Sequence, residues 1–218
     1  MVTNKLSVII PAFNEEQFIG ALLEKALAVD LSQFNLGKEI IVIDDCSKDR
    51  TAEIVRQFPE VILLSQSPNQ GKGAAVRAGI ARATGDYLII QVYGSRYLKH
   101  PTRGKLVNLL TGKHARQSWP AYLGGQSLSF ASLICTGNYL TDTVTALKLF
   151  RREIIKSLEL RTSGFELDHE ISAKVLAQGC QIKEVPISYF PRSKEEGKKI
   201  GARDWFVALK TFYRFRNG

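Results

Sequence analysis

The 218 residues, 44% of them hydrophobic, carry 30 Lys and Arg against 21 Asp and Glu, a net charge of +9. That length and apolar content suit one domain with a sizeable core and exclude global disorder. Three dispersed cysteines (Cys46, Cys135 and Cys180) without CxxC spacing exclude a disulfide scaffold and a zinc site, and fit a reducing cytoplasm. The charge is uneven, net −2 over residues 1–91 and net +11 over 92–218. Such an excess suits solubility, an anionic ligand or an anionic membrane surface, and no nucleic-acid motif accompanies it. The opening residues lead directly into an apolar strand with no leader pattern, and no run reaches the ~18 apolar residues of a membrane span.

In chain order, the apolar run Lys5 to Pro11 predicts a buried parallel strand. Phe18, Ile19, Leu22, Leu23, Ala26 and Leu27 then fall at helical spacing within Glu15 to Val29. Glu39 to Asp44 predicts a second strand, and Asp49 to Phe58 a helix with Ser47 as its cap. A third strand over Val61 to Leu64, a small-residue helix over Gly73 to Ala83 and a fourth strand over Asp86 to Gln91 follow. Beyond a middle region with no clear pattern come a strand at Thr145 to Phe150, a helix at Phe165 to Gln178 and a strand at Gln181 to Tyr189. A basic loop from Phe190 to Gly201 and a final helix from Arg203 to Phe215 complete the series. Strand–helix alternation of this kind predicts an α/β fold with a mostly parallel, doubly wound sheet flanked by helices.

Ligands of such sheets bind beyond the carboxyl ends of the strands. Polar clusters gather there: Pro11 to Glu16 after the first strand, Asp44 to Ser47 after the second and Asn69 to Gly73 after the third. Asp44 or Asp45 suits a base N–H or a ribose hydroxyl. The Gly71-Lys72-Gly73 turn offers backbone N–H groups and an ammonium to phosphate. Neither GxxxxGK[ST] nor GxGxxG is satisfied.

The stretches SVIIPAFNEE, EIIVIDDCSKDRTAEIV and NQGKGAAVRAGIARATGDYLIIQ resemble family 2 glycosyltransferases of the GT-A fold. VYGSRYL, TDTVTALKLFRREIIKSL, GFELDHEISAKV, EVPISYFPRSKEEGKKIG and DWFVALKTFYRFR resemble more narrowly the polyprenyl-phosphate sugar transferases, of the dolichol-phosphate mannose synthase type. The resemblance implies an inverting transfer of a hexose from GDP-mannose or UDP-glucose to polyprenyl or dolichyl phosphate. It implies that Pro11, Asn14, Glu15, Asp44, Asp45, Lys72 and Arg77 bind the nucleotide sugar. Asp168 and Glu170 become the catalytic acids near the acceptor; His169 between them reads as a structural or solvated residue rather than a catalytic one. Arg192, Lys198 and Lys199 become the groups for the lipid phosphate. It also implies two regions, a GT-A domain over 1–201 (nucleotide half 1–91, acceptor half 92–201) and an amphipathic helix over 202–218.

Family members follow the strand ending in Gln91 with an acidic Asp-x-Asp segment that ligates Mg²⁺ or Mn²⁺. Here Gln91 meets Val92-Tyr93-Gly94 directly, which matches the family's next strand. A crossover between parallel strands needs about a dozen residues, so YLIIQVYGSRYL reads as one long or kinked strand, and no metal ligand is assigned; Asp86 and Asp142 are set aside. The chain is then a deletion variant with impaired transfer, or a nucleotide-sugar or lipid-phosphate binding protein, or its sequence lacks a segment. A lipid acceptor places the protein on the cytoplasmic face of a membrane as a peripheral protein. The final helix and SLSFASLIC are candidate contacts, and a separate membrane subunit is a further partner of the type. No nucleic-acid partner is expected.

Overall fold

The computed structural model describes residues 4–90, 94–95, 119–143, 148–186 and 202–217. It falls into two units, Met1–Gln91 with Lys148–Phe165, and Val92–Leu147 with Glu166–Gly218.

The first unit is built on a sheet of order β3-β2-β1-β4-β6, made of β1 (Asn4–Ala12), β2 (Leu36–Asp44), β3 (Val61–Ser65), β4 (Tyr87–Ile89) and β6 (Leu149–Arg151). β1 to β4 are mutually parallel, and β6 adds an antiparallel edge. Their β-branched residues alternate between two covered faces, as a parallel sheet requires. On one face Ile40 and Val42 pack with Ile19 and Leu23 of α1 (Ile19–Ala28) and Val55 of α2 (Thr51–Val55). On the other, α3 (Lys72–Arg82) presses Gly79 against the sheet. A Cβ there would lie 2.5 Å from Cγ2 of Ile9 and 2.7 Å from Cδ1 of Ile43, so glycine is what permits the close approach. A short helix, α5 (Arg152–Ser157), follows β6.

At the opposite end of the sheet from the strand tips, Glu39 ties three segments together. It accepts hydrogen bonds from the Ser7 hydroxyl at 2.5 Å and the Thr84 N–H at 2.7 Å, and pairs with the Lys5 ammonium at 2.8 Å. Burial acts to raise its carboxyl, but Lys5, Ser7 and Thr84 outweigh that and hold it at about 2.

The second unit is mainly helical: α4 (Trp119–Thr136), α6 (Leu167–Ala177) and α7 (Ala202–Arg214), with a small parallel pair of β5 (Gly94–Ser95) and β7 (Val185–Pro186). Ala173, Phe212 and Phe215 form its buried cluster, with Cys135 against it. The Trp205 indole N–H donates to the Ser127 hydroxyl at 2.8 Å, fastening α7 to α4.

The parallel sheet and its helices confirm the α/β, doubly wound reading. Three expectations are corrected. The run YLIIQVYGSRYL is not one strand: β4 and β5 belong to different sheets. The patternless middle holds a long helix, α4. Ser47 does not cap α2; Asp49 accepts the Thr51 N–H at 3.0 Å, and the Ser47 hydroxyl turns to the first loop.

Candidate functional site

Parallel pairing brings Ala12, Asp44 and Ser65 into register at the carboxyl ends of β1, β2 and β3. The loops after β1 and β2 then clasp each other. Asn14 N–H donates to the Ser47 hydroxyl and Glu15 N–H to the Thr51 hydroxyl, while the Asn14 side-chain carbonyl accepts the Lys48 N–H. Glu16 completes the exchange, its N–H donating to Asp49 and its carboxylate accepting the Arg50 N–H. Asn14 reaches this geometry at φ 54°, in the left-handed region that Asn tolerates. In this clasp Asn14 and Glu15 shape the wall of the site, and Pro11 lies in β1 opposite Ile43.

The two aspartates differ. Asp45 is buried, and its carboxylate oxygens accept the Gln70 N–H at 2.7 Å and the Gly71 N–H at 2.8 Å, while its carbonyl accepts the Asn69 amide. It staples the loop before α3 to the tip of β2. Asp44, 5% exposed, accepts the Ser47 N–H on Oδ1 at 3.3 Å. Its Oδ2 has no hydrogen-bond partner among the described residues.

The turn before α3 is not the phosphate cradle its glycines suggest. The Gly71 N–H is spent on Asp45, and the Ser163 carbonyl accepts the N–H of Gly73 at 2.6 Å and of Ala74 at 3.3 Å. A Cβ on Gly73 would lie 2.7 Å from the Ser163 carbonyl carbon, so this glycine admits backbone rather than ligand. Lys72, the first residue of α3, has its ammonium 5.6 Å from the centre of the Phe165 ring. Arg77 donates to the Thr162 carbonyl and fixes the same segment. The chain signalled neither Ser163 nor Thr162, because both act through backbone oxygens. Lys148, 1% exposed, precedes β6, and its carbonyl accepts the Ile90 N–H.

In the second unit Asp168 and Glu170 lie in the first turn of α6, both buried. Residues two apart on a helix point in different directions. Glu170 forms a 2.8 Å ion pair with Lys174, whose ammonium sits 4.6 Å from the Phe215 ring centre. His169 meets Phe212 edge-on at 5.3 Å, which fits a packing role. Glu184 accepts the N–H groups of Thr141 and Asp142 and thereby orders that loop. Arg192, Lys198 and Lys199 lie outside the described residues.

The model of glycosyl transferase family 2 matches residues 7–91. A dolichyl-phosphate beta-glucosyltransferase, ALG5D, of Trichomonas vaginalis is 38% identical, with 89% of this chain and 68% of the relative covered. A dolichol-phosphate mannosyltransferase of Pyrococcus furiosus is 27% identical over 96% of this chain, which spans 63% of that protein's length. Among solved structures, glucosyl-3-phosphoglycerate synthase from Mycobacterium tuberculosis, in complex with Mn²⁺, UDP-glucose and phosphoglyceric acid, superposes with a TM-score of 0.66. The identity is 18%, and 98% of this chain and 80% of that one are covered. A mannosyltransferase from Pyrobaculum calidifontis with GDP-mannose and Mn²⁺ gives 0.52 at 17% identity, covering 98% of this chain and 71% of its own. The fold is that of the GT-A glycosyltransferases. The chain belongs to glycosyltransferase family 2.

The family match stops at Gln91, and the acidic segment that the resemblance implies does not follow it in the sequence. The alignment with the Pyrococcus protein runs over 235 positions, more than this chain's 218 residues, so the relative carries residues with no counterpart here. The described residues do not fit the Mn²⁺ of the structural neighbours. Asp45 is saturated by N–H groups. Asp86 sits at the far end of the sheet, accepting the Lys5 N–H and facing Arg152. No three His, Cys, Asp or Glu side chains converge among the described residues.

Proposed function

We propose that the protein transfers a hexose from a nucleotide diphosphate sugar, GDP-mannose or UDP-glucose, to a polyprenyl phosphate, with the nucleotide seated at the tips of β1 to β3. The observation that carries this reading is Asp44, a buried carboxylate at the tip of β2 with one oxygen uncommitted. A carboxylate so placed binds a base N–H or ribose hydroxyl with a charge-assisted hydrogen bond. Lys72 at the start of α3 supplies positive charge to the diphosphate. The relatives named for dolichyl-phosphate glucosyl and dolichol-phosphate mannosyl transfer support the lipid acceptor, and the basic segment with Arg192, Lys198 and Lys199 is assigned to its phosphate.

An acceptor phosphate oxygen attacks the anomeric carbon as the bond to the nucleoside diphosphate breaks, and the electron pair leaves with the diphosphate. The configuration inverts. The attacking group is already an anion, so charge neutralisation and alignment matter more than a strong base. Asp168 is the acid assigned to the acceptor, whereas Glu170, held by Lys174, serves the helix packing. A lipid-borne acceptor calls for a membrane surface, and this reading assigns the protein to the cytoplasmic face.

The second reading, a binding protein without transfer, is favoured by the absent acidic segment. A transfer assay with radiolabelled GDP-mannose or UDP-glucose and polyprenyl phosphate, with and without Mn²⁺, separates the two. Lipid-linked sugar is the expected product. Nucleotide binding with no such product under either condition establishes the second reading.

A further inference from the structure

Residues 162–165 form a strap across the start of α3. The Ser163 carbonyl accepts the N–H of Gly73 at 2.6 Å and of Ala74 at 3.3 Å. The half-buried Arg77 donates from its guanidinium to the Thr162 carbonyl. Gly73 and Arg77 stand four positions apart and so share one face of α3, and the adjacent Ser163 and Thr162 meet them in turn. The strap therefore runs along that face toward the helix start. Two glycines admit it: a Cβ on Gly71 would lie 2.6 Å from the Ser163 carbonyl oxygen, and one on Gly73 2.7 Å from the carbonyl carbon. Where the strap ends, the Phe165 ring centre is 5.6 Å from the Lys72 ammonium, within cation–π range.

We propose that Arg77 is a positioning residue for the diphosphate of the nucleotide. It holds Thr162, keeps the strap over the first turn of α3, and so fixes the ring that orients the Lys72 ammonium. An ammonium held in place loses less rotamer freedom when phosphate arrives. The inference rests on the reading above that Lys72 meets the diphosphate. Direct contact of Arg77 with phosphate is disfavoured, because its guanidinium is engaged on Thr162. Lys72 and Arg77, five positions apart, also project about 140° apart around the helix axis. The N–H groups of Gly73 and Ala74 are taken by Ser163, so the Lys72 ammonium carries the positive charge at this helix start.

Isothermal titration of GDP and UDP into the whole protein is the test, with thermal unfolding of each variant alongside. Arg77→Ala is expected to bind the preferred nucleotide about fivefold more weakly, and Lys72→Ala about tenfold. The double variant is expected to bind at most about twofold more weakly than Lys72→Ala, because the arginine acts through the lysine. Arg77→Lys, which can still donate to Thr162, is expected to stay within about twofold of wild type. Phe165→Leu removes the ring and keeps the backbone contacts of the strap. It is expected to lose about as much as Arg77→Ala, and it decides the matter if Arg77→Ala does not fold. Losses that add in the double variant put Arg77 on the nucleotide itself and overturn the proposal. Wild-type affinity in Arg77→Ala or Phe165→Leu overturns it too, while a loss in Lys72→Ala keeps the nucleotide reading. Wild-type affinity in Lys72→Ala, or no binding by wild type, refutes that reading as well.

Discussion

Asp44 and Asp45 are adjacent, chemically identical and separable only in three dimensions. The sequence places both at a strand tip and so offers both to a nucleotide. The strand's alternation turns them apart, and Asp45 spends its carboxylate on the turn before α3. Asn14 and Glu15 show the same pattern: their motif is legible, but their backbone groups serve a clasp between loops. Glu39 drew no attention, because a carboxylate inside an apolar strand looks like ordinary strand polarity until Ser7, Thr84 and Lys5 are seen around it. Its carboxyl is held at about 2, below the ordinary value of 4.5. Its contribution to stability is therefore complete above pH 4.5 and lost as the pH falls from there toward 2. Urea denaturation across that interval is expected to show the fall, about 3 kcal/mol in all. Glu39→Gln is expected to be less stable at pH 7 and to lose part of this pH dependence; an unchanged profile contradicts the assignment.

At the scale of elements, the β-α-β order of the first unit was legible because buried parallel strands leave unbroken β-branched runs and their helices keep an apolar stripe. α4 was not legible: with no charge and with small residues on several sides, it has no polar face to mark its period. The contact between α3 and the Ser163 segment was equally hidden, since a carbonyl at a helix start leaves no trace in side-chain type. It explains Gly73 in a way the motif did not. Gly73→Ala places a methyl 2.7 Å from backbone that cannot retreat without losing the Ser163 hydrogen bonds. A loss of about 1–3 kcal/mol is expected in thermal or urea unfolding. Stability equal to wild type rules out this packing.

At the scale of the whole molecule, family membership and a stretch without acids after the fourth strand stand together. The family model matches residues 7–91, which hold β1 to β4 and the strand-tip loops, and no Asp or Glu follows from Val92 to Thr141. A nucleotide held without them depends on the β2 tip and on lysine. The direct measurement is isothermal titration of GDP and UDP into wild-type protein and Asp44→Asn, each with and without Mn²⁺. Wild type is expected to bind one of the nucleotides with little change on adding Mn²⁺, and Asp44→Asn to bind it about tenfold or more weakly, a cost of about 1.4 kcal/mol. Equal affinity in the two proteins, or no binding by wild type, contradicts a nucleotide site at the strand tips.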